Sequence, residues 1–277
     1  MKHIEGTFTG CQDKELYYQG WLPDGDSNTT ILMVHGLAEH SGRYMNLVNH
    51  FVPAGYALYG FDLQGHGKSE GARCFVEKFS DYVDDLNRYF DIIKEKHPDN
   101  RIFLYGHSMG ATIAADFTTK YQGNLAGLLV SGIVLKVTSN ASPLLVKLAP
   151  LMSKLVPKLG VTAIDCSTLS RDSAVVEAAL KDPLYYNKKV SVRLGSELLR
   201  ETLELPERLR GVNLPVLIMH GTADQLVAPE SSQILYRGVS SEDKTLKLYE
   251  DYYHEIHNEP GREQVFSDMG KWLEAHL

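Results

Sequence analysis

The sequence predicts an α/β fold in which a mainly parallel central sheet carries helices on both faces and a helical cap insertion. Three observations predict this fold. Short apolar runs typical of buried strands recur along the chain, amphipathic helical patterns separate them, and one long segment breaks the alternation. With 277 residues, the chain is long enough for one large domain that contains an inserted subdomain.

Six segments have the apolar character of strands. They are residues 31–36, 56–62, 101–108, 125–132, 215–221 and 244–250. The first five are apolar at consecutive positions, which is typical of parallel strands buried on both faces. The stretch ELYYQGW near the start of the chain instead favours an antiparallel hairpin at the edge of the sheet.

Helical periodicity is clearest in two segments. The first is 79–97, with Ser80 as the predicted N-cap; its apolar stripe consists of Tyr82, Leu86, Tyr89, Phe90 and Ile93. The second is the last helix, which is predicted to begin near Gly261; its apolar residues are Val265, Phe266, Met269, Trp272 and Leu273.

The segment 135–205 contains no convincing strand, and we predict that it forms a helical cap over the carboxyl edge of the sheet. Residues 1–134 and 206–277 then form the core, and core and cap make a single structural unit. Within 142–160, Pro150 would kink or divide a helix whose apolar face comprises Leu144, Leu145, Leu148, Leu151, Met152 and Leu155. Periodicity alone equally allows an ordinary amphipathic helix packed on the core.

Composition excludes some classes of function. The net charge of −7 argues against a general nucleic-acid binder, which neutralises phosphates with Lys and Arg. The three cysteines are far apart without metal-ligand spacing, which favours free thiols in a reducing compartment. The N-terminal segment lacks the apolar stretch of a signal peptide, and the apolar run 126–135 is too short to span a bilayer. We therefore expect a cytoplasmic protein, with peripheral membrane contact left open.

Ser108, in the stretch LYGHSMG, lies between two glycines where a strand pattern gives way to a helical one. A nucleophile elbow requires this context, since its turn is so sharp that only glycine fits at positions 106 and 110. The helix that follows offers free backbone N–H groups and the positive end of its dipole. The Gly-X-Ser-X-Gly pattern alone is a weak signal, and its context makes Ser108 a candidate nucleophile.

A serine nucleophile requires a base, and the base requires an acid that orients it. The expected order along the chain is serine, acid, histidine. Asp224 follows the strand 215–221 and His254 follows the strand 244–250, so both are expected at the edge where Ser108 emerges. Singly, each would be interpreted as a turn or structural residue. Three matches in the required order favour catalytic roles.

Nearby residues offer weaker alternatives. His257 lies three residues beyond His254 and farther from the strand end, where a short loop would hold a base rigidly. Glu250 and Asp251 compete with Asp224 as the acid but lie too near the histidine in sequence to reach across the site easily.

An oxyanion intermediate requires two backbone N–H donors. One is predicted to be Met109, which directly follows Ser108. The other is expected in the loop after the strand 31–36, where Leu37 follows His35 and Gly36. A simple turn at the end of this strand is compatible with that role, because the same glycine both turns the chain and exposes the next amide.

The chain resembles the monoacylglycerol lipase family, within the α/β-hydrolase fold, over nearly its whole length. The blocks that carry the resemblance are HGLAEHSGRY (35–44), FDLQGHGKSEG (61–71), GHSMGA (106–111), HGTAD (220–224) and YYHEIHNE (252–259). In the cap they are IDCSTLSRD (164–172) and KDPL (181–184). The set is specific for the fold and the triad, and less specific for the substrate.

The resemblance implies a serine hydrolase that cleaves monoacylglycerols to glycerol and fatty acid, with Ser108, Asp224 and His254 as the triad and Leu37 and Met109 as the oxyanion hole. It also implies that Glu39, Arg43 and His257 surround the glycerol head group. The cap would supply an apolar tunnel for the acyl chain and a surface that contacts membranes or micelles. The motifs imply no metal and no organic cofactor.

Other readings of the same motifs stay open. A lysophospholipase or a broad-specificity carboxylesterase would use the same triad. An amide hydrolase is disfavoured by the apolar cap helix, and enzymes of this fold with an aspartate nucleophile are disfavoured by the serine. An inactive hydrolase that serves as a lipid-binding module is a further alternative, although every triad position is filled.

Overall fold

The computed structural model describes residues 1–136 and 143–277, with the backbone alone for 143–146. Its central sheet has eight strands in the order β1-β2-β4-β3-β5-β6-β9-β10. These strands are β1 (Lys2–Thr9), β2 (Glu15–Leu22), β3 (Thr29–Val34), β4 (Ala57–Phe61), β5 (Arg101–His107), β6 (Gly127–Ser131), β9 (Val216–Gly221) and β10 (Lys244–Tyr249).

The sheet confirms the predicted fold class. From β4 through β10 all neighbouring strands pair in parallel, whereas β1 and β2 form an antiparallel hairpin at one edge. Each of the six predicted strands is present within one or two residues of its predicted bounds. The carboxyl ends of β3, β5, β6 and β9 therefore meet at one edge of the sheet, where loops can bring distant residues together.

Side chains of each central strand alternate between two cores, one on each face of the sheet. In β3, Leu32 and Val34 pack in one core and Ile31 and Met33 in the other. The flanking helices are α1 (Met45–Phe51), α2 (Phe79–Lys96), α3 (Met109–Tyr121), α7 (Glu230–Gly238) and α8 (Arg262–Ala275). Helices α1 and α8 cover one face, and α2, α3 and α7 the other. Burial on both faces explains why the strands are apolar at consecutive positions.

The predicted N-cap of α2 was wrong. The helix begins at Phe79 with Lys78 in the capping position, and Ser80 lies in its first turn. The free N–H of Phe79 instead donates to Glu197 Oε2 at 2.9 Å. Because this acceptor lies 118 residues away in sequence, a local capping pattern could not reveal it.

The cap segment contains three helices, α4 (Pro143–Leu155), α5 (Ser173–Lys181) and α6 (Val192–Arg208). It also contains a small antiparallel sheet of β7 (Gly160–Thr162) and β8 (Val190–Ser191), so the prediction of a segment without strands was wrong. Strands this short show no alternation in sequence. Helix α6 packs against both α4 and the core helix α3, and it runs past the predicted boundary at residue 205.

Helix α4 continues through Pro150 without division. The predicted apolar face is largely solvent-exposed, at 39% for Leu148, 57% for Leu151 and 72% for Leu155. Ser142 and the side chains of Leu144 and Leu145 lie outside the described residues. Within the described part of the chain, no helix combines the length and apolar character needed to cross a membrane.

Candidate active site

Ser108 lies at a sharp turn between β5 and α3, with φ of 54° and ψ of −123°. This left-handed backbone conformation is strained for a residue with a side chain. Both glycines of the motif are required by close packing. A Cβ atom at Gly106 would lie 2.5 Å from the carbonyl oxygen of Gly110, and one at Gly110 would overlap the carbonyl oxygens of Val34 and His35. The local geometry is that of the predicted elbow.

Asp224 and His254 come together although they are 30 residues apart in sequence. The Nδ1 atom of His254 lies 2.7 Å from Asp224 Oδ2. The other carboxylate oxygen, Oδ1, accepts hydrogen bonds from the backbone N–H groups of Leu226 and Val227, each at 2.9 Å. The carboxylate is thus fixed by its own loop and directed at the histidine.

The electrostatics of this pair favour a charged acid beside a basic histidine. Burial alone raises the pKa of Asp224, but the charge of His254 and hydrogen bonds from His220 and His254 outweigh burial and hold that pKa well below its usual value. Burial lowers the pKa of His254, but the Asp224 carboxylate beside it outweighs burial and raises that pKa above 6.5. Asp224 therefore orients His254 and stabilises its protonated form.

Ser108 and His254 line the same cavity of about 150 Å³. If His254 is the base for Ser108, their side chains are expected to be hydrogen-bonded, but no such bond is formed among the described residues. In free enzymes such contacts are often long and tighten when substrate binds. Both side chains therefore face the space that a ligand in this cavity would occupy.

The two expected oxyanion donors also line this cavity. Met109 begins α3, so its N–H is a first-turn donor without a partner inside the helix. Leu37 follows Gly36 in the loop after β3, and its N–H has no acceptor within residues 1–136 and 143–277. Gly36 packs closely against the serine, since a Cβ atom at Gly36 would lie 3.1 Å from Ser108 Cβ.

Glu39 and Arg43, expected at the head group, belong to a buried ionic network. Arg43 Nη2 lies 2.7 and 2.9 Å from the two carboxylate oxygens of Glu255, and Arg43 Nε lies 3.3 Å from Glu39 Oε2. Glu39 Oε1 accepts from the Gly36 N–H at 2.6 Å and from the Tyr44 hydroxyl at 2.7 Å. Glu39 lines the cavity, whereas Arg43 lies behind it.

The two carboxyl groups of this network differ in acidity. Burial, together with the charge of Glu255, raises the pKa of Glu39. Burial also acts to raise the pKa of Glu255, but Arg43 outweighs burial and lowers it. Arg43 thus neutralises mainly Glu255, and Glu39 is the more readily protonated of the two.

His257 does not line the cavity. Its ring is fully buried, stacks on Tyr44 at 4.8 Å, and lies with Nδ1 3.4 Å from the Tyr105 hydroxyl. Burial lowers the pKa of His257 to about 4. Of the three residues expected at the head group, only Glu39 is placed to contact a bound ligand directly. Arg43 and His257 are packed behind the lining residues.

Cap residues complete the cavity wall. Ile164, Leu169, Tyr185 and Leu198 line it opposite the core. The cap is joined to the core next to the site, since the backbone N–H of Glu255 donates to the carbonyl oxygen of Leu169 at 2.8 Å. A second junction is the 2.7 Å contact between His40 Nε2 and Asp182 Oδ2.

Two residues at the site were missed by the sequence analysis. Glu255 follows His254 and lines the cavity, and His220 is the penultimate residue of β9, with Nε2 3.0 Å from Asp224 Oδ2. Both lie in blocks that carry the family resemblance, HGTAD and YYHEIHNE. Their positions were therefore a usable signal, but their partners, Arg43 and Asp224, are evident only from the fold.

Comparisons with known proteins agree with this geometry. A family model described as serine aminopeptidase, S33, matches residues 25–261. The chain is 33% identical over 273 residues to the monoacylglycerol lipase of Mycolicibacterium smegmatis, which covers 99% of this chain and 98% of that one. The chain belongs to the monoacylglycerol lipase family.

One solved structure and one further relative match this chain at similar identity. The crystal structure of the monoacylglycerol lipase of Paleococcus ferrophilus matches with a TM-score of 0.85 at 29% identity, covering 95% of this chain and 100% of that one. The phospholipase YtpA of Bacillus subtilis is 34% identical over 254 residues, 89% of this chain and 95% of that protein. Family membership thus fixes the α/β-hydrolase fold, while the substrate needs its own argument.

Proposed function

We propose that this protein hydrolyses monoacylglycerols to glycerol and a free fatty acid through an acyl-enzyme on Ser108. His254 takes the proton of Ser108 as the hydroxyl oxygen attacks the ester carbonyl, and returns it to the leaving glycerol oxygen. A water molecule activated by the same histidine then releases the fatty acid. Asp224 holds the histidine in the required orientation throughout.

The N–H groups of Leu37 and Met109 are proposed to stabilise the negative oxygen of both tetrahedral intermediates. Two observations support this role. Both residues line the cavity with Ser108. The Met109 N–H has no acceptor inside α3, and the Leu37 N–H has none within the described residues. Losing one such donor typically raises the barrier by roughly 3 kcal/mol.

One observation carries the proposal. Ser108 lies on a strained backbone turn and lines a cavity together with His254, and His254 is hydrogen-bonded to Asp224. A residue kept in a left-handed conformation at a cavity, with glycine forced on both sides, is more readily explained by function than by packing.

A lipid with one acyl chain is the proposed substrate. The lining side chains of Val134, Ile164, Leu169, Leu198 and Leu226 are apolar and suit an acyl chain. Glu39 and Glu255 offer acceptors to glycerol hydroxyl groups. We propose that Arg43 and His257 act at the head group indirectly, by holding these carboxylates and Tyr44 in place.

We further propose that the cap contacts a lipid surface. Leu151 and Leu155 are exposed on α4, and the neighbouring Lys147 and Lys154 are exposed as well. Exposed apolar side chains beside cations suit an interface of acyl chains and anionic head groups. Leu151→Ser with Leu155→Ser should reduce co-sedimentation with lipid vesicles while leaving hydrolysis of a water-soluble short-chain ester intact.

The unit comprising core (1–134 and 206–277) and cap (135–205) is proposed to act in the cytoplasm. The support is that Cys11, Cys74 and Cys166 are free thiols in the structure, as is usual in a reducing compartment. The cap boundary at 205 divides α6, so a later boundary at the end of that helix, Arg208, suits the structure better.

The test is a panel of monoacylglycerols of different chain length, assayed with the wild type and Ser108→Ala. Hydrolysis by the wild type and its near-complete loss in Ser108→Ala is the expected result. Hydrolysis of the panel by Ser108→Ala at the wild-type rate would overturn the mechanism.

A lysophospholipase with the same triad is the second candidate, favoured by the identity to the phospholipase of Bacillus subtilis. A direct comparison of kcat/KM for a monoacylglycerol, a lysophospholipid and a simple ester of the same acyl chain distinguishes the candidates. A folded protein that hydrolyses none of them and is not labelled by a fluorophosphonate would instead be a lipid-binding module.

A further inference from the structure

Tyr185 lies between two cavities. One is the catalytic cavity of about 150 Å³ next to Ser108. The other, of about 370 Å³, lies outside it, between a core loop around His66 and cap residues 180–188. Tyr185 is the one residue within 1–136 and 143–277 that lines both cavities, and its side chain is buried. Tyr185 therefore forms part of the wall between them.

This wall borders the polar part of the catalytic cavity. The guanidinium of Arg43 lies 5.1 Å from the centroid of the Tyr185 ring. The same guanidinium bonds to Glu255 and Glu39, the two carboxylates that line the catalytic cavity. The ring thus lies beside the arginine that holds both carboxylates, at the part of the cavity where the proposed function places the alcohol portion of the ester.

The second cavity has a different chemistry. Its lining includes three cationic side chains, Arg73, Lys181 and Lys188. Among the described residues that line it, the only acid is Asp182, which lies 2.7 Å from His40 Nε2. A cavity more than twice the size of the catalytic one, with cations in its lining, suits a phosphate-bearing head group.

We infer that Tyr185 is a specificity-determining residue: its ring limits the alcohol portion of the ester to about the size of glycerol and excludes phosphate-bearing head groups from the second cavity. This inference rests on the proposed ester hydrolysis. Shortening the side chain joins the two cavities and opens a path from Ser108 to the cations. Selectivity between head groups then changes, although Tyr185 takes no part in the bond-making steps.

The experiment compares kcat/KM for a monoacylglycerol and for the lysophosphatidylcholine with the same acyl chain. Tyr185→Ala is expected to raise the ratio of lysophosphatidylcholine to monoacylglycerol hydrolysis by about tenfold or more. Tyr185→Phe keeps the ring and is expected to keep the wild-type ratio. Tyr186→Ala is the matched control, because Tyr186 lines the second cavity but not the catalytic one; its ratio should also stay at the wild-type value.

The inference is overturned if Tyr185→Ala is labelled by a fluorophosphonate as fully as the wild type but keeps the wild-type ratio. It is equally overturned if Tyr186→Ala shifts the ratio as much as Tyr185→Ala does. Should Tyr185→Ala not fold, Tyr185→Leu replaces it under the same criterion, because leucine removes the outer ring atoms and keeps apolar bulk in the buried position. Failure of the proposed function is distinct, since the wild type itself would then not hydrolyse the monoacylglycerol.

Discussion

Asp224 binds two histidines through a single carboxylate oxygen: Oδ2 lies 2.7 Å from His254 Nδ1 and 3.0 Å from His220 Nε2. A carboxylate oxygen accepts, so each of these ring nitrogens carries the proton. His220 Nδ1 then accepts from the Ser232 hydroxyl at 2.6 Å, and His254 Nε2 keeps the free lone pair that a general base requires. The arrangement fixes both tautomers and leaves His254 Nε2 able to accept a proton, as the proposed mechanism requires.

The first prediction concerns the pH dependence of hydrolysis. The proposed mechanism requires neutral His254, and Asp224 raises the pKa of His254 above 6.5. Hence kcat/KM should fall on the acid side as pH decreases through a value above 6.5. Asp224→Asn should lower kcat by about 10⁴-fold and move this acid limb to lower pH, since the stabilising charge is gone. A pH–rate profile of both proteins is the measurement, and an unmoved limb would contradict the assignment of Asp224.

The second prediction concerns His220. His220→Ala removes one donor to the Asp224 carboxylate, so that the acid holds His254 less firmly. Removal of one partner of a buried hydrogen bond costs about 1–3 kcal/mol, and we expect kcat/KM to fall about tenfold or more. His276→Ala is the control, because His276 pairs with Asp243 near the exposed C-terminus and should leave kcat/KM unchanged. Equal effects of the two variants would argue against a positioning role for His220.

The third prediction concerns the oxyanion loop. A methyl group at Gly36 would lie 3.1 Å from Ser108 Cβ and 2.8 Å from Glu39 Oε1. Gly36→Ala should therefore displace the Leu37 amide and lower kcat by roughly 10²–10³-fold, the usual effect of losing one donor. Gly25→Ala is the matched control, since nothing lies within 4 Å of its added methyl. Full activity of a folded Gly36→Ala would remove Leu37 from the mechanism.

The fourth prediction concerns stability. Arg43→Met leaves Glu39 and Glu255 buried next to each other without a cation, which should lower the free energy of unfolding by about 3–5 kcal/mol at neutral pH. Arg43 lowers the pKa of Glu255. The ion pair therefore stabilises the folded state above the ordinary carboxyl pKa, and this stabilisation is lost as pH falls through the lowered pKa of Glu255. The loss in free energy of unfolding caused by Arg43→Met should hence be smaller at pH 4 than at pH 8.

Denaturant unfolding of wild type and Arg43→Met at both pH values is the measurement. Lys68→Met, which breaks an exposed pair with Glu5, should change stability little at either pH. A deficit of Arg43→Met that is the same at pH 4 and pH 8 would show that lost packing, and not the buried carboxylates, causes the destabilisation.

Most of the fold could be predicted from the sequence, because burial on two faces makes each central strand a continuous apolar run, as in β3 and β5. Ser108, Asp224 and His254 could also be predicted as candidate site residues, because they occur in the expected order and each follows a strand. What the sequence lacked were contacts between distant segments. Glu197 at the start of α2, and Arg43 between Glu39 and Glu255, follow no local rule.

The head-group residues illustrate the same limit. Glu39, Arg43 and His257 were expected to surround glycerol, yet only Glu39 lines the cavity. Sequence places residues near a strand end but does not determine which side chain lies in front of another. Tyr185, which borders both cavities, lies in a cap loop without periodicity, and only the tertiary structure indicates its position.

The central claim is that Ser108 is the nucleophile, and the most direct measurement is intact-protein mass after treatment with a fluorophosphonate, followed by peptide mapping. We predict a single adduct on Ser108, loss of hydrolysis in proportion to labelling, and no adduct in folded Ser108→Ala. An adduct on a different residue, or a fully labelled protein that still hydrolyses monoacylglycerols, would contradict the mechanism.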